Sequence, residues 1–123
     1  MSPYQMLANA IIEQAATDHK SAAEFLCLHP RTEELVETVA AQFAEKELKR
    51  KRRAARHLPP ERRRKSREES RLDAIIENER LLADAESFFL SDWFTDLTDL
   101  DGTWLLEQLR KMEDEQYGCK KVS

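Results

Sequence analysis

The chain has 123 residues, 36% charged and 41% hydrophobic, with two glycines, four prolines and a net charge of −4. Ala, Leu, Glu, Lys and Arg dominate while β-branched residues are scattered, which excludes a sheet-built fold and predicts an all-α protein of one small domain. No apolar run nears the roughly 20 residues that cross a bilayer. Glu13 and Asp18 stand where a secretory leader would be cationic and then apolar, so a cytoplasmic protein is expected.

Ser2-Pro3-Tyr4-Gln5 predicts a helix start: serine caps, proline takes the first helical position, and Gln5 lies three residues after the cap. Tyr4, Leu7, Ala8, Ile11 and Ala15 then recur as one apolar stripe. Thr17-Asp18-His19-Lys20 either lies on the outer face of a continuing helix or marks a bend before a second capping box at Ser21-Ala22-Ala23-Glu24; the sequence leaves both open. His29-Pro30 ends the element, because proline cannot continue it. Thr32, followed by Glu33 and Glu34, starts the next helix, with Leu35, Val36, Val39, Ala40 and Phe43 as its buried face and helix formers continuing to Arg56.

Leu58-Pro59-Pro60 is a turn, after which a third long helix is expected from about Glu61 to Leu90. It is basic at first, then apolar at Leu72, Ile75, Ile76, Leu82 and Phe89. Glu45→Lys49, Glu47→Lys51 and Glu61→Lys65 have the acid four residues ahead of the base, worth about 0.2–0.5 kcal/mol per pair. Ser91 can cap a short helix carrying Trp93, Phe94 and Leu97, and Asp101 or Thr103 can start a last helix whose face is Trp104, Leu105, Leu109 and Met112. Five of the nine aromatic residues lie between Phe88 and Trp104, so this segment is expected to pack on the first helix, while residues 118–123 form a frayed tail.

Charge is segregated. From Glu45 to Arg71 there are thirteen Lys and Arg against five Asp and Glu, a net of +8; the remainder has seven against nineteen, a net of −12. The expected architecture is therefore one helical domain whose core comes from residues 1–44 and 72–117. A long antiparallel basic helical hairpin, residues 45–71, projects from it with Pro59-Pro60 at the tip. Its seam would be thin, drawn from Ala41, Ala44, Leu48, Ala55 and Leu58.

Two stretches, LANAIIEQAATDHKSA and ESFFLSDWFTDLTDLDGTWLLEQLRK, carry the elements AI…QA…D, FF-x-S-x-W/F and DG-x-x-L-x-x-L. Over a little more than a third of the chain they resemble a group of small helical proteins encoded on bacterial mobile elements. The resemblance implies a helical fold and a mobile-element origin, and carries no catalytic residue with it. Members of that group join the two parts by a shorter connection, so the basic hairpin is this chain's own addition.

The basic segment carries the candidate chemistry. Lys46, Lys49, Arg50, Lys51, Arg52, Arg53, Arg56, Arg62, Arg63, Arg64, Lys65 and Arg67 crowd like charges at helical neighbour spacings, a cost that a polyanion removes. Arginine grips phosphate bidentately. No aromatic residue interleaves the run, which points to backbone contacts rather than base stacking. The plainer alternatives are a solvated charged hairpin or one that docks on an acidic protein surface. A membrane is disfavoured because the segment lacks a bulky apolar face. Calcium at Asp96–Gly102 fails, since aligning Gly102 with the EF-hand glycine puts Leu97 and Gln108 at ligand positions. Zinc has only Cys27, His29, His57 and Cys119, irregularly spaced. The two cysteines read as lone thiols of a reduced compartment.

No phosphate loop, nucleophile elbow or HExxH motif is present, and Glu77, Glu79, Asp84 and Glu86 read as the wet face of a helix. The expectation is thus a non-enzymatic binding protein without cofactor or metal. Its partner would be nucleic acid or a ribonucleoprotein, including a host-defence effector in an anti-CRISPR-like role. The alternative is an assembly module that forms homodimers or larger oligomers.

Overall fold

The computed structural model describes residues 2–61 and 64–117. They form five helices, α1 (Pro3–Leu28), α2 (Glu33–Ala55), α3 (Arg67–Phe89), α4 (Asp92–Leu97) and α5 (Gly102–Tyr117), with no strand among the described residues. The protein is all-α. Two units divide the chain, one of Met1–His29 with Glu77–Ser123 and the other of Pro30–Ile76. None of the helices is long and apolar enough to cross a membrane.

In the first unit, Ser2 accepts from the Gln5 backbone N–H and the Gln5 side chain returns to the Ser2 N–H, the reciprocal cap that the sequence announces. α1 then runs uninterrupted through Thr17–Lys20 and ends where Pro30 forbids another turn. The core gathers Phe89, Phe94 and Leu106 at the meeting of α3, α4 and α5, against Ile12, Ala15 and Ala16 of α1. Burying each phenylalanine is worth about 1.5–3 kcal/mol. Edge-to-face ring contacts of Phe88 and Phe89 with Phe94 fix the angle at which α4 arrives. Ser91 caps α4 through the Phe94 N–H, and Asp101 caps α5 through the N–H groups of Thr103 and Trp104.

The register of α5 differs from expectation. Leu106 is buried and Leu105 and Leu109 half-buried, whereas Trp104 and Met112 are exposed. Gly102 sets this register. A β-carbon there would lie 1.8 Å from the Phe89 carbonyl oxygen and 3.1 Å from a ring carbon of Phe94, so α5 begins pressed directly on the end of α3.

His19 gives the largest surprise. It is 1% exposed, on the inner face of α1, not on the outer face or at a bend. Its Nδ1 lies 2.5 Å from Glu113 of α5 and its Nε2 3.2 Å from Glu86 of α3, while Arg110 approaches the other Glu86 oxygen at 3.1 Å. A neutral imidazole has one N–H, so only the imidazolium donates to both carboxylates. Burial pulls the His19 pKa down, but hydrogen bonds and charges from Glu113 and Glu86 outweigh it and the net direction is upward. Two cations and two carboxylates thus balance where three helices meet, and Glu86 is not part of a wet face.

Cys27 is disulfide-bonded rather than a lone thiol, which removes the ground for expecting a reduced compartment. Cys119 and the tail 118–123 lie outside the described residues.

In the second unit, Thr32 caps α2 through the Leu35 N–H with Glu33 and Glu34 in the first turn, as read. The expected buried face is only partly covered: α2 has no fully buried residue, Leu35 and Val39 are half-buried, and Val36, Ala40 and Phe43 are exposed. The supposed seam residues Ala41, Ala44, Leu48, Ala55 and Leu58 are all exposed as well. Chain return is instead held by polar groups. Ser66 donates to Gln42, Gln42 donates to Glu68, and Lys46 bonds both the Arg64 carbonyl and Glu69.

The third helix starts at Arg67, not near Glu61. Ser66 accepts from the Glu69 N–H, with Glu68 and Glu69 in the first turn. A helix opened at Glu61 would have set four cations against its positive end; opening at Ser66 sets two carboxylates there. Of the expected second arm, residues 64–66 are not helical and the helix begins at Arg67, with Arg62 and Arg63 outside the described residues.

α2 ends in a Schellman turn: the His57 N–H reaches the Ala54 carbonyl, the Leu58 N–H reaches that of Arg53, and His57 sits at φ 58°. A left-handed conformation costs an L-residue roughly 1–2 kcal/mol. His57→Gly should therefore raise stability by about 0.5–1 kcal/mol after glycine's own entropy loss, read as a higher urea midpoint with unchanged slope.

Candidate nucleic-acid interface

Seven of the twelve cations singled out in the sequence separate into two sets, one paired within the unit and one not. Lys46 is held by Glu69 at 2.6 Å and by the Arg64 carbonyl at 3.0 Å. Arg53 donates to the Pro59 carbonyl at 3.0 and 2.8 Å and reaches Glu61 at 3.3 Å. Arg50 pairs with Glu47 at 3.1 Å, and Lys65 with Asp73 at 2.5 Å, which raises the Lys65 pKa. Lys46, Arg53 and Lys65 tie the return segment to α2 and to the first turns of α3, while the Arg50–Glu47 pair lies within α2. At their partly exposed sites the Lys46–Glu69 and Arg53–Glu61 pairs are each worth no more than about 1 kcal/mol.

The second set is Lys51, Arg52 and Arg56. All three are exposed and make no ion pair among the described residues. Lys51 was expected to pair with Glu47, but Arg50 takes that carboxylate from one residue nearer, since spacings of three and four are both reachable on a helix. Lys49 is intermediate, with a 3.8 Å contact to Glu45 and a side chain 65% exposed. Arg64 is exposed and lends its carbonyl to Lys46, and Arg67 lies beside Glu68 at the start of α3. Arg62 and Arg63 lie outside the described residues.

Lys51 and Arg52 are one residue apart and so point about 100° apart around the axis, with Arg56 one turn beyond Arg52. Leu48 and Ala55 are each three or four residues from both Lys51 and Arg52, and therefore line the strip between them. Both are exposed. The result is a slim ridge of small and aliphatic side chains flanked by cations. Arg52 and Arg53 lie in the last turn of α2, where the helix's negative end favours positive charge, so the sequence keeps the helix intact up to this face.

A concavity of about 380 Å³ lies in the other unit among Ile11, Ala15, Leu81, Ala85, Phe88 and Trp93. Its polar rim is already self-satisfied: Gln14 donates to Asp18 at 2.8 Å and Arg80 to Asp84 at 2.8 Å. The cationic face of α2 is the stronger candidate site.

No protein-family model matches the chain, and no curated protein or solved structure matches it either.

Proposed function

We propose that this chain is a non-enzymatic binding protein that engages nucleic acid, or a ribonucleoprotein, through the cationic face of α2 and the adjoining return segment. The observation that carries the reading is the partition just described. Seven residues of one helix, Lys46 and Lys49–Arg53 with the capping Arg56, are cationic, yet only some are consumed by internal pairs. Arg52 and Arg56 repel each other at a spacing of four, Lys51 adds a third uncommitted cation, and phosphates relieve that crowding while releasing their own condensed counterions. Taken with the mobile-element resemblance, the role is anti-defence: an anti-CRISPR-like inhibitor that meets the phosphates of a host effector's nucleic acid. That encounter requires the cytoplasm.

Fluorescence anisotropy with labelled RNA and DNA at low ionic strength tests the reading. Changing Lys51, Arg52 and Arg56 together to glutamine should weaken binding at least tenfold with the helical circular dichroism unchanged. Lys111→Gln, the loss of one cation at an exposed position of α5, should not. Binding that survives the triple change would refute the assignment of this face.

A specific observation also favours assembly. The unit of Met1–His29 and Glu77–Ser123 has six Lys and Arg against fifteen Asp and Glu, a net of −9, while Pro30–Ile76 has fourteen against nine, a net of +5. Opposite units of two molecules would attract. In that reading the mass in solution rises with protein concentration in the absence of nucleic acid, and sedimentation distinguishes the two.

A further inference from the structure

We infer that the partner of this face is B-form duplex DNA, with α2 lying in the major groove and holding phosphates on both walls without reading sequence. The inference rests on the nucleic-acid reading above and narrows it. Three observations carry it. The first is shape. A helix with its side chains is about 10–12 Å across, and the B-form major groove is about 12 Å wide. The ridge formed by Ala44, Leu48 and Ala55 is exposed and short, so the helix axis can approach the groove floor closely.

The second observation is the placement of charge. Lys51 stands on one side of that ridge and Arg52 with Arg56 on the other, which is where the two phosphate walls run when a helix fills the groove. Arg50 and Arg53, on the opposite side of the helix, are held by Glu47, Glu61 and the Pro59 carbonyl. The third is what the ridge lacks. Between Ala44 and Ser66 there is no Phe, Trp or Tyr to stack on an unpaired base, and Ala44, Leu48 and Ala55 offer no hydrogen-bonding atom to a base edge. Single strands are thus poorly served. The deep, narrow major groove of an A-form RNA helix does not admit a helix at all.

Three labelled probes of equal length, duplex DNA, duplex RNA and single-stranded DNA of mixed sequence, are titrated with the intact chain across a salt series. The expected result is at least tenfold tighter binding to duplex DNA than to the other two, insensitivity to its sequence, and protection of guanine N7 from methylation. The slope of log K against log salt should be near −0.9 per phosphate held, and each of Lys51→Gln, Arg52→Gln and Arg56→Gln should make it shallower by about 0.9. Equal or preferred binding of either RNA or single strands, or duplex binding with N7 left reactive, overturns the groove assignment while leaving the broader nucleic-acid reading standing. Failure to bind any of the three probes removes both.

Discussion

Gly102→Ala should destabilise the protein by about 3 kcal/mol or more. Within a helix the same change ordinarily gains up to about 1 kcal/mol, so the sign is set by what the methyl group meets. Here it meets the Phe89 carbonyl oxygen at 1.8 Å, with the Phe89 carbonyl carbon at 2.9 Å behind it. These are backbone atoms at the end of α3 and cannot swing aside as a flexible side chain does. Relief requires α5 to lift from α3, and that movement would open the cluster of Phe89, Phe94 and Leu106 that the two helices share with α4. Thermal unfolding followed by circular dichroism should show a drop in midpoint of about 10 °C or more, given that 1 kcal/mol shifts a domain of this size by roughly 3–6 °C. Thr103→Ala, one residue on at an exposed position, should move it by a few degrees at most. A midpoint within that range for Gly102→Ala would mean that the close approach of α5 to Phe89 is not made.

Gly102 also illustrates what could be read ahead of the structure. The DG that precedes a helix-spaced leucine run is plain in the sequence, and its capping aspartate could be named from it. That a carbonyl from a different helix sits against the glycine could not, because the contact joins residues brought together only by tertiary packing. Capping rules fared well: Ser2, Thr32 and Ser91 all cap as expected, whereas the Glu47→Lys51 and Glu61→Lys65 pairs, also of local spacing, give way to other partners. Ser66 obeys the same rule, with Glu69 three residues on, but the double proline drew the boundary toward Glu61. The repulsion between four consecutive cations and a helix's positive end was the signal that could have corrected it.

The candidate interface was legible as a composition and illegible as a surface. The run of charge is evident, yet which cations remain uncommitted depends on where the return chain lays Glu61, Arg64 and Glu69 against α2. Even within α2 the choice between Arg50 and Lys51 for Glu47 is a competition of two permitted spacings that no local rule decides. Mutational tests directed at the whole basic run therefore mix residues that hold the unit together with residues available to a partner. Lys46 and Arg53 belong to the first kind, and their loss should loosen the return segment before it reveals anything about binding.

His19→Leu should cost about 3–5 kcal/mol at neutral pH, because it leaves Glu113, itself 7% exposed, as a buried carboxylate without its cation. The position was available to periodicity. Ala8, Ile12, Ala15, His19, Ala22 and Leu26 follow one another at spacings of three and four, and only the polarity of histidine argued for an outer face. The wild-type pH dependence follows from the direction of the shift. The folded pKa of His19 is raised above its ordinary 6.5, so the imidazolium's contribution is fully present below about pH 6.5 and is lost as pH rises through the folded value. Stability should accordingly decline on the alkaline side. His19→Leu should lose that alkaline decline, since the titrating group is gone. The double change His19→Leu with Glu113→Leu replaces a buried ion pair by apolar groups, which is often nearly neutral, and should recover most of the loss while flattening the pH profile. Urea titrations of the three proteins from pH 5 to pH 9 decide the matter: a wild-type profile without an alkaline decline, or a double variant no better than the single one, would show that the His19–Glu113 pair does not join α1 to α5 as a charged contact.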